Sequence, residues 1–464
     1  MGLPNSKMYF LKFRNYFLIL LFTGSCNISK AQNAFIPASI NEEFLKKESA
    51  TVEANYLQKI KSLPSQNKND FSKIYKERKE FIRGFFDSKE IYTNSQAQEY
   101  LDAIVGEIIR SNPELQNKNL KCYFSRAGDY NAGFYGEGMI LFNMGLFTKL
   151  ENESQVAFVL CHELAHFYLN HMDKGIEDYV NKINSSDFQK QLKNINKMEY
   201  GKRKEIESLK QGMVFNSRRH GRYHESMADS LGLVFLANTR FDIAESLSSL
   251  AMLDNIDSDS LSMETALKSL FNLPEYPFKD KWLKKEEGLL GGHSRQDKTE
   301  LEDSLKTHPD CLKRVEFLKP FVEKYNSGLR LKNAINEVKF KELQTVFKYE
   351  IVEYAYQNKN YSASLKYTIS LLQNLYDPYL ITQIGKIFNG MYSAQKSHTL
   401  NRFVQLPSPG FNSNYNLLLE FIQKLYRYDI AAISYNFLKK YSEQIKNYPA
   451  FTDEFDLSIK NFNE

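Results

Sequence analysis

The 464-residue sequence predicts an α+β fold, in which a mostly helical domain with one small sheet precedes an all-α domain of helical hairpins. Apolar residues recur at helical spacing through most of the chain. Two short segments, 120–124 and 139–142, have the character of strands. After about Gly328 the composition shifts toward helices rich in Tyr, Leu and Ala, which indicates the second domain. One small sheet among many helices is typical of the α+β class.

The composition excludes several classes of protein. Hydrophobic residues make up 42% of the chain and charged residues 25%, which excludes wholesale disorder. The net charge is +5, and Lys is mixed with Glu along the chain, so we expect no nucleic-acid partner. The four cysteines include no CxxC pair, and we expect those of the mature chain to be buried small apolar residues. The four are Cys26, Cys122, Cys161 and Cys311, and the last three belong to the mature chain.

Residues 1–31 are predicted to be a signal peptide. Three basic residues precede an apolar run at 16–23 that is too short to span a bilayer, and 29–31 (SKA) offers a cleavage site before Gln32. This predicts an exported protein, periplasmic or secreted. Two alternatives remain. The chain is lipidated at Cys26 and associated with the outer membrane, or the apolar run at 16–23 is retained as an anchor. Since no later segment has 18 uninterrupted apolar residues, no transmembrane span is predicted in the mature chain.

The predicted elements follow the chain in order. Residues 40–86 have a charged helical character, and apolar residues at helical spacing predict a helix over 95–110. Three glycines interrupt the chain between the two predicted strands. Further helices are predicted as far as Tyr325. The predicted organisation is a signal peptide at 1–31, an N-terminal helical segment at 32–94, a principal domain at 95–327 and a helical-repeat domain at 328–464.

The sequence His162-Glu163-Leu164-Ala165-His166 is an HExxH motif. Residues i and i+4 of a helix share one face, so both imidazoles can reach one tetrahedral zinc ion. Glu163 lies between them, where it can act as a general base. Random sequence of this His content would produce the motif with a probability on the order of 1%, which disfavours a coincidental pair of core histidines.

Glu225 is predicted to be the third protein ligand, because catalytic zinc takes three protein ligands and keeps one position open. Asp229 lies one turn later on the same face, where it can accept a hydrogen bond from a ligand imidazole. His220 and His224 remain alternative ligands, although adjacent helical residues do not share a face. His171, five residues after His166, is expected to be structural.

Residues 96–321 resemble the zinc metallopeptidase family that includes the CAAX prenyl endopeptidase, the heat-shock protease HtpX and the periplasmic protease BepA. The resemblance implies a zincin-type domain of the gluzincin kind with one zinc ion per chain. Thr239 and the long charged segment 173–220 depart from the family pattern. The motifs that carry the resemblance are Asn131-Ala132 with 136–145 (GEGMILFNMG), 155–166, Asn170-His171, Glu225-x-x-Ala228-Asp229-x-x-Gly232, and Thr307-His308-Pro309 with Arg314.

The late HP…R motif is implied to return to the active site. His308 and Arg314 are therefore candidate catalytic groups that could steady the oxyanion. His308 has an alternative role, in which it occupies the open zinc position and keeps the enzyme latent. The strand at 138–143 is predicted to hold an extended peptide by strand addition. The substrate-binding residues predicted from this are Asn131, Gly138, Met139, Ile140 and Leu141.

These observations predict a zinc endopeptidase of the bacterial cell envelope that acts on extended or misfolded protein segments, as in protein quality control. The alternative is a chaperone-like or assembly scaffold that binds envelope proteins through helical repeats, with a gated or secondary protease. Residues around Ala363 and Ala431 resemble each other at a spacing of 68 residues, twice the tetratricopeptide period. Segment 328–464 is thus expected to dock a partner or substrate, or simply to brace the catalytic domain.

Overall fold

The computed structural model describes residues 35–198, 200–256, 261–284, 311–325, 328–373 and 376–464, with backbone alone over 204–220. Helices dominate these residues, and a three-stranded sheet accompanies them, which confirms the predicted α+β class. The helices are α1 (Glu42–Ser62), α2 (Lys68–Asp87), α3 (Ser95–Ser111), α4 (Met144–Phe147), α5 (Glu153–Tyr168), α6 (His171–Ile183), α7 (Ser186–Lys197), α8 (Lys202–Ala237), α9 (Glu245–Asp254), α10 (Met263–Phe271), α11 (Cys311–Tyr325), α12 (Glu337–Gln357), α13 (Tyr361–Leu372), α14 (Pro378–Lys396), α15 (Ser413–Gln423), α16 (Arg427–Ile445) and α17 (Pro449–Asn463).

Asparagine fixes where many of these helices begin. The side-chain oxygen of an N-cap Asn accepts a hydrogen bond from the first turn, whose backbone N–H groups have no partner within the helix. Asn152 does this for α5 by accepting from the backbone N–H of Gln155. The other N-cap asparagines with this contact are Asn41, Asn94, Asn336, Asn360 and Asn412.

The sheet has the strand order β1-β3-β2. β3 (Met139–Asn143) lies in the centre, parallel to β1 (Lys121–Ser125) and antiparallel to β2 (Ala132–Gly136). β2 was not predicted, because its glycines suggested a break in the chain. Gly136 lies at a bulge with φ of 99°, a conformation that glycine adopts without strain.

A two-residue turn at Glu137 and Gly138 joins β2 to β3. Both residues have positive φ, 52° and 76°, as a type I′ hairpin turn requires. A Cβ on Gly138 would lie 1.9 Å from the carbonyl oxygen of Asn119, so no larger residue fits. Gly138 therefore has a structural role in the turn.

The strand-addition role predicted for 138–143 needs correction, because β3 is paired on both sides and has no free edge. The side chains of Met139 and Leu141 are buried against α1 and α2, whereas Ile140 is buried in the main core. β1 and β2 are the two outer strands, and β2 packs against α5. Strand addition requires an outer strand, so the predicted strand does not serve this role.

Two large hydrophobic cores contain residues from both sides of the predicted domain boundary at 327/328. The boundary stays a prediction. The first core contains α3, α5, the sheet and α9, but also Phe340 and Phe347 of α12. The second core lies among α13 to α17, but it includes Phe271 of α10 and Trp282. The helices on the two sides of the boundary therefore share their apolar interiors.

The C-terminal helices pack against one another, although not always in chain order. α12 packs against α13, α13 against α14, α14 against α16 and α17, and α16 against α17. A Cβ on Gly385 of α14 would lie 2.6 Å from a methyl of Leu438, so glycine permits that close approach. A tetratricopeptide-like arrangement stays a prediction. Among the described helices, none combines the length and apolar character that crossing a bilayer requires.

Candidate metal centre

Helix α5 carries the HExxH motif and is held firmly at its N-terminal end. Glu153, fully buried, accepts hydrogen bonds from the hydroxyl of Tyr100 and from the backbone N–H groups of Ile335 and Asn336. The rest of α5 is apolar and packs against α8. The metal motif therefore lies on a rigid helix, whose first residue also binds the segment that leads into α12.

Gly232 allows α8 to approach α5 closely at the first histidine. A Cβ at this position would lie 3.0 Å from both the Cα and the backbone nitrogen of His162. The contact is between two backbones, so neither partner can move aside by a change of rotamer. This close approach places Glu225, two turns earlier on α8, beside the imidazoles of α5.

The side chains of His162, His166 and Glu225 converge on one point. The two Nε2 atoms are 3.1 Å apart, and they lie 3.4 Å (His162) and 3.3 Å (His166) from different oxygens of Glu225. Zinc bonds of about 2.0–2.2 Å at the tetrahedral angle separate ligand atoms by about 3.4 Å. The donor set and its spacing therefore fit a zinc ion, and the ligand atoms of the three residues all lie within 4.8 Å of one another.

Asp229 and Arg314 support this cluster from behind. Asp229, fully buried, places Oδ1 2.9 Å from Nδ1 of His162. Arg314 donates two hydrogen bonds to Asp229, from Nε at 2.7 Å and from Nη2 at 2.6 Å. Its Nη1 also lies 3.8 Å from Glu225. The expected contact between Asp229 and a ligand imidazole is present, and Arg314 forms a chain with it.

The charges of the cluster favour a cation between the imidazoles. Burial opposes protonation of His162, but hydrogen bonds to Asp229 and Glu225 raise its pKa to about 10. Burial also opposes ionisation of Glu225, yet hydrogen bonds from the two imidazoles hold its pKa well below the ordinary value. For Asp229, burial is likewise outweighed by His162 and Arg314, which lower its pKa. The carboxylates therefore stay ionised and attract a proton or a metal ion.

Glu163 faces β2, one of the two outer strands of the sheet. Its Oε2 accepts a hydrogen bond of 2.8 Å from the backbone N–H of Phe134 in β2. Burial raises the pKa of Glu163, although the two histidines and the Phe134 N–H oppose this. The carboxylate of the HExxH motif thus lies directly beside β2.

His171 and His224 form a second layer that sequence reasoning did not find. Nδ1 of His171 lies 2.9 Å from Nδ1 of His166, and its ring stacks on that of His224 with centroids 4.2 Å apart. Burial and the neighbouring His166 and His224 lower the pKa of His171 to about 4. His224 stacks there, outside the cluster of ligand atoms. The nearness of His171 to the motif in sequence was the available signal.

The remaining predicted site residues have other positions. His308 and the side chain of His220 lie outside the described residues. Asn131 precedes β2, and its carbonyl accepts a hydrogen bond from the backbone N–H of Asn143. It therefore helps to close the hairpin next to the outer strand.

Residues 95–322 match the model of peptidase family M48. A comparison with curated proteins finds no match. The matched segment starts at the first residue of α3 and contains the three candidate ligands, Glu163, Asp229 and Arg314. It leaves out α1, α2 and the C-terminal helices from α12 onward. Peptidases of this family are zinc-dependent, in agreement with the donor set.

Proposed function

This chain is a metallopeptidase with a domain of peptidase family M48 at residues 95–322, and on that premise we propose that it is a zinc endopeptidase of extended protein segments. The observation that carries the proposal is the convergence of His162, His166 and Glu225 beside Glu163, which itself contacts the outer strand β2. The candidate ligands, the base and an outer strand of the sheet therefore lie close together.

The chemistry would be divided between the metal and the side chains. When bound by His162, His166 and Glu225, zinc supplies a Lewis acid that polarises a carbonyl group and acidifies water. The carboxylate of Glu163 takes the proton of the attacking water and delivers it to the leaving amine. A raised pKa suits this exchange, because a base titrating nearer to neutral pH both accepts and returns a proton readily.

The substrate is proposed to bind along the outer edge of β2, which replaces β3 in this role. Strand addition uses main-chain hydrogen bonds, so it tolerates many sequences but requires an extended backbone. Glu163 accepts a hydrogen bond from the backbone N–H of Phe134 at this edge, so a peptide bound there would lie next to the base. Unfolded segments and exposed loops of proteins are the substrates that meet this requirement.

Arg314 is proposed to act through Asp229. Both groups that it contacts are carboxylates of the cluster, and two of its N–H groups are donated to Asp229. An Arg–carboxylate pair with two parallel bonds fixes the orientation of both partners. Asp229 then holds the imidazole of His162. His308 remains the candidate donor to the oxyanion, or the candidate group that keeps the enzyme latent.

The proposed setting is the bacterial cell envelope, with a role in removing misfolded proteins. The support for export is the predicted signal peptide at 1–31, cleaved before Gln32 or lipidated at Cys26. Glu163 is intact, which argues against a scaffold that has lost its chemistry. The test in cells is whether Glu163→Gln alone removes the biological effect, since a scaffold would keep it.

Segment 328–464 is proposed to dock the protein substrate or an envelope partner. A groove of about 410 Å³ lies among α12, α14 and α17, and aromatic, basic and acidic side chains line it. Such a surface can recognise an extended segment and raise its local concentration. The bracing role has support as well, because Phe340 and Phe347 of α12 lie in the same hydrophobic core as α5. The side chains that line the groove include Tyr356, Lys386, Phe403 and Glu454.

The direct test compares wild type with Glu163→Gln and with the control Glu177→Gln, an exposed residue of α6. With denatured casein as substrate, Glu163→Gln should lose about 10²–10⁴-fold in rate, because the amide is no base. Its zinc content, measured by metal analysis, should match wild type, as should the activity of Glu177→Gln. Cleavage of casein by Glu163→Gln at the wild-type rate would overturn the mechanism.

A further inference from the structure

The two candidate histidine ligands are held by different kinds of partner. Nδ1 of His162 faces a carboxylate, Asp229, which is bound in turn by Arg314. Nδ1 of His166 faces a second imidazole, that of His171, at 2.9 Å between the two Nδ1 atoms. Metal-binding histidines usually donate their second N–H to a carboxylate or a carbonyl. His166 has a nitrogen in that place.

The metal-binding role of His166 fixes the protons of this pair. If Nε2 of His166 offers its lone pair to a metal, the proton of that ring must lie on Nδ1. Nδ1 of His171 must then be the acceptor, and the proton of His171 must lie on Nε2. Within the described residues that Nε2 is buried and has no hydrogen-bond partner. A residue kept only for stability would not be expected to leave a buried donor unpaired.

His171 is held in place from two sides. Its ring is buried and stacks nearly parallel on His224, at an interplanar angle of 10°, and His224 directly precedes Glu225 on α8. Asn170 adopts φ of 55° between α5 and α6, so His171 turns back toward His166. The stack therefore connects the end of the HExxH helix with the helix that carries the third ligand.

The first turn of α6 is also anchored to the N-terminal helices. Asp173, two residues after His171, accepts hydrogen bonds from Lys59 of α1 and from Tyr75 and Arg78 of α2. Arg78 also pairs with Glu137 in the turn between β2 and β3. The position of His171 is thus fixed by helices that lie outside the segment matched to the peptidase family.

We propose that His171 is a positioning residue for the metal centre, whose Nδ1 accepts the Nδ1–H of His166 and so directs the Nε2 lone pair of His166 at the metal. This inference rests on the zinc site of the proposed function. It differs from a packing role, because it assigns the effect to one hydrogen-bond acceptor. A packing role would assign the effect to the volume of the ring.

Two substitutions separate the acceptor from the ring. His171→Phe keeps an aromatic ring to stack on His224 but has no acceptor. His171→Asn loses the ring but can place Oδ1 close to the position of Nδ1. Tyr179→Phe, at an exposed position of the same helix, is the matched control. Zinc affinity is measured by competition with a chelator, and the melting temperature in excess chelator reports whether each variant folds.

We expect His171→Phe to bind zinc about 10–100-fold more weakly than wild type, the cost that is typical of losing an outer partner of a ligand. His171→Asn should stay within about threefold of wild type, as should Tyr179→Phe. If His171→Phe folds and binds zinc as tightly as wild type, the inference is wrong. It is equally wrong if both variants fold and lose the same affinity, because the ring and not the acceptor would then matter.

The variants His162→Ala and His166→Ala, measured in parallel, keep this test apart from the proposed function. If they lose zinc while His171→Phe does not, the positioning role fails and the metal site stands. If they retain zinc as well, the site itself is wrong. Activity on casein is not needed for either conclusion.

Discussion

The polar groups of the metal region converge on one point, whereas the buried polar contacts of the C-terminal helices are distributed over several places. Around the candidate metal position, three ligands lie within 4.8 Å of one another, with Asp229 fully buried behind them. In the C-terminal helices, Tyr379 donates to Glu353 at 2.8 Å and Ser434 donates to Asn389 at 2.9 Å. Asn389 also contacts Glu454 and Asn461, so these contacts form small groups that satisfy each other and hold the helices together.

This difference in the arrangement of polar groups indicates which region carries the reaction. Concentrated buried charge is costly unless something compensates it, so its presence marks a site that serves more than stability. Small hydrogen-bonded groups dispersed between helices need no such explanation. The reaction is therefore assigned to the metal region, whereas bracing and docking stay proposals for the C-terminal helices.

The largest effect, on zinc affinity, is expected when one acidic residue is substituted in each region. Glu225→Ala removes a candidate ligand. Loss of an outer partner of a ligand weakens zinc binding about 10–100-fold, and loss of the ligand itself should weaken it more. Asp429→Asn weakens contacts with Tyr276 and Lys279 in the second core. It should lower the melting temperature and leave zinc affinity unchanged. Chelator competition and thermal unfolding measure the two quantities.

Full zinc retention in Glu225→Ala would show that Glu225 is not a ligand. The third ligand would then have to be sought among the neighbouring histidines, His220 and His224. Loss of zinc in a folded Asp429→Asn would show instead that the two regions do not divide their roles as proposed.

A second prediction concerns the two hydrophobic cores. Phe347→Ala and Phe421→Ala should each lower the free energy of unfolding by about 3–5 kcal/mol, because both side chains are fully buried among other aromatic rings. Since both cores contain helices from either side of 327/328, we expect one cooperative transition in urea. Two separate transitions, with Phe421→Ala shifting only one of them, would contradict the shared cores and favour independent domains.

A smaller effect is expected from glycines at helix contacts. Gly232→Ala meets the backbone of His162, whereas Gly385→Ala meets the end of the Leu438 side chain, which is able to move. Gly232→Ala should therefore weaken zinc binding and lower the melting temperature, and Gly385→Ala should affect stability alone. Gly221→Ala has open space at the new Cβ and should stabilise α8 by about 0.5–1 kcal/mol. Unchanged zinc affinity in Gly232→Ala would show that the ligand geometry does not depend on this contact.

The smallest effect is a pH dependence of stability that arises from Glu245, next to the N-terminal end of α5. Glu245 accepts hydrogen bonds from Asn152 and Gln155 and pairs with Lys332. Burial opposes its ionisation, but Lys332 and these neighbours lower its pKa to about 2. Because the pKa is lower in the folded chain, its contribution to stability is present above about pH 4.5 and is lost as the pH falls toward 2.

Urea unfolding at several acidic pH values measures this contribution. Glu245→Gln should flatten the loss of stability between about pH 4.5 and pH 2 relative to wild type, because the substituted side chain has no proton to bind. Glu443→Gln in the C-terminal helices changes a side chain that is 87% exposed, and it should leave that slope unaltered. An equal slope in wild type and Glu245→Gln would remove Glu245 from the account of acid stability.

The sequence by itself determined the parts of the molecule that depend on local geometry. Helical spacing gave the α+β class, and the i and i+4 rule placed His162 and His166 on one face. The same rule placed Asp229 one turn after Glu225. Helix formation and side-chain direction follow from residues a few positions apart, so a single sequence is enough to predict them.

Only the tertiary structure decided the contacts between distant segments. The order β1-β3-β2 places β3 in the centre and β2 at an edge, although the glycines of β2 had suggested a break in the chain. Arg314 binds Asp229 from 85 residues away, and the stack of His171 on His224 joins two helices. The cores likewise cross the predicted domain boundary. Such contacts are set by packing and close backbone approach, which local periodicity does not record.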